Sequence, residues 1–130
     1  MKKIIPLTAP ILFLAFGFFL IGQVLPKSLM DQWEDVESEI KKGLPKTAIE
    51  KIDPLIKQAL KDGSHAVAIR AICQKINLEG AIQGNKAEEK IARLEEEITK
   101  APEALKPMMR AVLSNWYWQY FQQNRWRFAQ

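Results

Sequence analysis

Apolar positions recur along this chain with a helical period. Leu29, Trp33, Val36 and Ile40 fall on one face of a helix, while Asp31, Glu34, Asp35, Glu37 and Glu39 lie mostly on its other sides. Lys41 and Lys42 follow where the helix dipole favours cations, and Gly43 suits the position just past a helix end. Pro45 reads as a helix-first proline. Ile49, Ile52, Ile56 and Leu60 continue the period until Asp62-Gly63. Pro54 falls inside this stripe without changing its phase, which predicts a kinked continuous helix rather than two helices. Ile69, Ile72, Cys73 and Ile76 mark a third helix ending near Gly80. Asn85 to Glu88 reads as a capping box for a fourth. Ala87, Ile91, Leu94 and Ile98 are its inward face, and Ala101-Pro102 ends it. Leu105, Met109, Val112, Trp116 and Tyr120 share the face of a fifth, with Pro107 implying a kink or a late start.

No segment alternates as a strand would. The fold class expected is therefore all-α: about five helices stacked as antiparallel hairpins on short hinges at Gly43-Leu44 and Asp62-Gly63. The pitch of about 34–40 residues per helix pair resembles tetratricopeptide-type arrays, although no strict repeat signature is present.

The chain's start follows a different pattern. Lys2 and Lys3 precede a stretch without charge from Ile4 to Pro26, almost wholly apolar from Ile11 to Ile21. Residues 1–26 read as a signal peptide or an uncleaved signal anchor, long enough to span a bilayer. The expected localisation is export, either inner-membrane anchored and facing the periplasm or, after cleavage, periplasmic or extracellular. Residues 27–130 form the helical domain.

Charge and composition narrow the chemistry. The net charge of +4 includes Lys2 and Lys3; without them 17 basic residues face 15 acidic ones. The cations are scattered among glutamates, which argues against nucleic acid as a partner. One His and one Cys cannot build a zinc site of four Cys/His ligands or an internal disulfide. Cys73 reads as a buried small hydrophobe and His65 as a loop residue at a helix start. The Glu95-Glu96-Glu97 run reads as a solvated helix face, and three adjacent acids that point in different directions make a poor metal cage. Gly80 to Gly84 reads as a turn rather than a phosphate loop. No cofactor, metal or catalytic residue is expected, and the chain does not read as an enzyme.

The candidate interface is aromatic. Trp116, Tyr117, Trp118, Tyr120, Phe121, Trp126 and Phe128 crowd the last part of the chain. Trp116, Tyr117 and Tyr120 are expected in the core. Seven aromatics point all round a helix, so Trp118, Trp126 and Phe128 are expected to meet something beyond this domain.

Several of these stretches resemble one family. Gly43-Leu44-Pro45-Lys46-Thr47-Ala48 is similar to the hairpin turn GLPK(S/T)A in the N-terminal helical region of bacterial alpha-2-macroglobulin-like proteins. Ile82 to Lys86, and Arg93-Leu94-Glu95 followed by Ile98, resemble the fourth-helix region there. Asn115 to Phe128 resembles the family segment YWQYFQxNRWRF. The resemblance runs in order from Trp33 to Gln130. It implies the leading helical module of a large exported endopeptidase inhibitor, with β-sandwich macroglobulin domains, a bait region and often a Cys-x-Glu-Gln thioester elsewhere. Cys73 is followed by Gln74-Lys75-Ile76 and does not match the thioester motif. The expected role is scaffold and spacer in a fragment or truncated form. Its partners would be downstream macroglobulin domains, with proteases met only through those domains and a membrane met through residues 4–26. The alternative is a stand-alone, membrane-anchored helical-repeat adaptor binding a protein through its aromatic C-terminal end.

Overall fold

The structure is a computed structural model and describes residues 27–129. Six helices follow one another: α1 (Leu29–Lys41), α2 (Pro45–Lys61), α3 (His65–Ile82), α4 (Ala87–Lys100), α5 (Lys106–Gln123) and α6 (Arg125–Phe128). No strand occurs among the described residues, so the all-α class holds. The sixth helix, a single turn, was not expected from the sequence.

Local chemistry sets the ends. A capping box opens α1: the Asp31 N–H donates to Ser28 Oγ at 3.1 Å, and the Ser28 N–H donates to Asp31 Oδ2 at 3.2 Å. Gly43 and Gly63, at φ +74° and +68°, close α1 and α2 in the same way. The Leu44 N–H reaches back to Glu39 O at 3.0 Å and the Ser64 N–H to Ala59 O at 2.8 Å. Leu44 and Ser64 also stand at the N-cap of the next helix, so each hinge is short, as in a helical hairpin. The capping box expected at Asn85–Glu88 does not form. Asn85 is already used by α3: it sits at φ +58° with its N–H on Gly80 O, while an N-cap needs extended backbone. Lys86 takes the N-cap position of α4 instead, with no side-chain cap hydrogen bond.

Each helix from α1 to α5 packs on its neighbours in sequence, α1 on α2, α2 on α3, α3 on α4 and α4 on α5. Two apolar clusters result. Trp33, Val36, Ala48, Ile52, Leu55, Ala71 and Leu78 join α1 to α2 and α3. Ala59, Ala68, Ile69, Ile72, Ile76, Leu94, Ile98, Leu105 and Met109 join α2 and α3 to α4 and the start of α5. The stripe on α2 is broader than its isoleucine spacing suggests. Ala48, Ile52, Leu55 and Ala59 are its fully buried residues, and Ile49, Ile56 and Leu60 are only half-buried. The helix packs on two sides at once, and its alanines let the neighbours approach. It also runs through Pro54 unbroken, as its stripe predicted.

The membrane-anchored localisation is corrected by the structure. Among the described residues no helix is long and apolar enough to cross a membrane. The longest, α3 and α5, have 18 residues each and carry Arg70, Lys75 and Glu79, or Lys106 and Arg110, where a span requires about 20 mostly apolar residues. The signal or anchor reading itself concerned residues 1–26, which lie outside the described residues.

Candidate functional site

Among the described residues α5 is anchored on one side only. Met109 is its single buried residue, lying with Leu105 against the α3–α4 cluster, and Val112, Leu113 and Trp116 are half-buried around them. Beyond Trp116 the packing thins and polar tethers take over. Tyr120 donates its hydroxyl to Glu88 Oε1 at 2.7 Å, and Tyr117 donates to Glu95 Oε1. The order is reversed between the two helices, as it must be in an antiparallel pair. These hydrogen bonds push both phenols above their ordinary pKa, and the Tyr120 bond holds Glu88 below the usual carboxylate value. Arg127 closes the tether, its guanidinium 3.2 Å from Tyr120 Oη and 3.7 Å from Glu88.

The seven aromatics therefore divide differently from expectation. None is fully buried: Trp116 is half-buried against the α3–α4 cluster, whereas the core placement of Tyr117 and Tyr120 is corrected, because these two reach past the apolar contact to hydrogen-bond the glutamates of α4 and lie exposed and half-buried. Trp118, Phe121 and Phe128 form a continuous ring surface facing away from α4. Trp118 stacks on Phe121 with centroids 5.8 Å apart, and Phe121 meets Phe128 at 5.6 Å. Their exposures are 59%, 40% and 59%, and Trp126 beside them is 70% exposed. In a continuous helix Phe128 would stand about 10 Å along the axis from Phe121, out of ring contact. The break at Asn124, whose side chain donates to Tyr120 O at 2.9 Å, folds α6 back and brings the rings together. Sequence reasoning found the aromatics but not this break; an asparagine between two helical patterns was the available signal.

Several charged groups of the scaffold pair with one another. A cleft of about 240 Å³ between α2, α3 and α4 has an apolar floor including Ile56, Ile72 and Leu105. On its walls Lys75 pairs with Asp53 at 2.7 Å, and Arg93 pairs with Glu97 at 3.1 Å and Glu79 at 3.7 Å. The Glu95-Glu96-Glu97 run splits as expected, to Tyr117, to Lys100 and Arg93, and to Arg93. No group of three or more His, Cys, Asp or Glu is placed to hold a metal ion among the described residues. Cys73 is half-buried against the second cluster, and burial pushes its thiol above the ordinary pKa. His65 is half-buried at the start of α3.

Compared with known proteins, the chain matches no family model, no curated protein and no solved structure.

Proposed function

We propose that this chain is a helical docking module, in which α1–α4 form the scaffold and α5–α6 present an aromatic face to a protein partner. The observation that carries the reading is the ring surface of Trp118, Phe121 and Phe128, left open beside Trp126 on a helix that, among the described residues, is anchored from one side only. Adjoining exposed rings of this kind mark interaction surfaces, and aromatics are the residues on which interfaces concentrate binding energy. The resemblance to alpha-2-macroglobulin-like proteins supplies the context: the N-terminal helical module of an endopeptidase inhibitor, with a macroglobulin domain as the occupant of the face. Hairpin stacking of the tetratricopeptide kind belongs to the same reading, supported by the sequential packing of α1–α4 and the matched turns at Gly43 and Gly63. In this role the chain supplies position and surface rather than chemistry.

Reading the coding frame past codon 130 in the native source tests the inhibitor context. A frame that continues into macroglobulin domains supports it. Fusing the first such domain should then blue-shift the emission of Trp118 and Trp126. A stop codon directly after Gln130 would overturn the inhibitor context and leave an adaptor built on the same docking face.

A further inference from the structure

The docking face carries a charge asymmetry that specifies its partner. From residue 104 to the end of the sequence there is no Asp or Glu, while Lys106, Arg110, Arg125 and Arg127 supply four cations. Two of them are committed within the domain, Lys106 to Glu103 and Arg127 to Glu88. Arg110 and Arg125 form no ion pair among the described residues. Helical spacing puts Arg110, Ser114, Trp118 and Phe121 along one face, and Arg125 follows at the start of α6. The aromatic strip thus has near it two guanidiniums without a direct ion pair among the described residues: Arg110, on the Trp118 face of α5 and within the field of Glu103, and Arg125, at the start of α6.

We propose that this face binds an acidic amphipathic segment of a protein partner, one that lays an apolar row on Trp118, Phe121 and Phe128 and sets carboxylates against Arg110 and Arg125. The inference rests on the docking reading above. Guanidinium suits this role because its planar fork takes a carboxylate through two parallel hydrogen bonds, and like charges exclude basic surfaces from the same strip. A nucleic-acid strand fits less well, since two such cations release too few counterions to hold a phosphate backbone at physiological salt.

The test is a tryptophan-fluorescence titration of the full chain. The probe is a short helical peptide with leucines on one face and glutamates on the other, and its twin carries lysines in place of the glutamates. The expected result is saturable binding of the glutamate peptide only, weakened by added salt. Arg110→Gln with Arg125→Gln should weaken it about tenfold, and Trp118→Ala with Phe121→Ala by at least as much. Circular dichroism should stay unchanged in both variants. Loss with the aromatic pair but not with the arginine pair, or equal binding of the lysine twin, would overturn the acidic partner while leaving the docking reading intact. Indifference to both pairs would overturn both. Tighter, arginine-dependent binding of oligothymidylate or of phosphatidylcholine vesicles containing phosphatidylglycerol would also overturn it, in favour of a phosphate ligand.

Discussion

Single residues show where the scaffold is most sensitive. Glu39 is the one buried charged side chain among the described residues, and it joins α1 to α2 by accepting from Lys51 at 2.6 Å and from Lys42 at 3.2 Å. Those hydrogen bonds, Lys51 first, hold its carboxyl below the ordinary value of 4.5. A carboxylate with a depressed folded pKa contributes stability above its unfolded pKa and loses it as pH falls through the folded one. Glu39→Gln should therefore lower Tm most above about pH 5, and the gap to the parent should narrow as pH falls through the acid range. A gap independent of pH would contradict the ion-pair account. Gly80 offers a second case. It lies inside α3, where alanine is favoured by about 1 kcal/mol, yet an added Cβ would stand 2.8 Å from Cδ of Lys90. Gly80→Ala should gain little stability alone and about 1 kcal/mol in a Lys90→Ala background, as measured by denaturant unfolding. Equal effects in both backgrounds would show that the lysine stem does not set the limit.

Among the elements, α5 differs from the rest in how it is held. Met109 is fully buried, and Met109→Ala should cost about 2–5 kcal/mol of unfolding free energy. Trp118→Ala, on the open face, should stay within about 0.5 kcal/mol. Similar losses at both positions would mean that the ring surface is internal packing rather than a docking face. The element boundaries were legible where backbone chemistry is local: Gly43, Gly63 and Pro45 mark the first hinges without knowledge of the rest of the fold. They were less legible where one residue serves two neighbours. Asn85 looks like a cap for α4 when read forward, but it is consumed in closing α3. The Ser28–Asp31 box carries its own local signal, a serine followed three residues later by an acid just before an apolar stripe. The expected face of α5 was right in direction, from Leu105 through Met109 to Trp116. Its burial was overestimated, because periodicity shows which side faces the core and not how closely the neighbouring helix packs there.

At the scale of the molecule, α2 and α3 belong to both apolar clusters, so the scaffold holds its two ends through shared helices. Arg70 of α3 lies 4.0 Å over the Trp33 ring of α1 and reaches Glu37, tying the first helix across to the third. That organisation keeps one end dense and leaves the other, α5–α6, with rings and guanidiniums turned outward. The aromatic crowding was visible in the sequence, but its division into tethers and an open strip depends on the Asn124 break and the reach of α4. The central claim is that this strip is open among the described residues. It is tested most directly by labelling the tryptophans with 5-fluorotryptophan and measuring the fluorine solvent-isotope shift of each indole, assigned by single Trp→Phe variants. Trp118 and Trp126 should show the large shifts of solvent-exposed rings, and Trp33 should show almost none. Protected signals from Trp118 and Trp126 in the isolated chain would mean that the domain already covers its own aromatic end, and the docking account would fail.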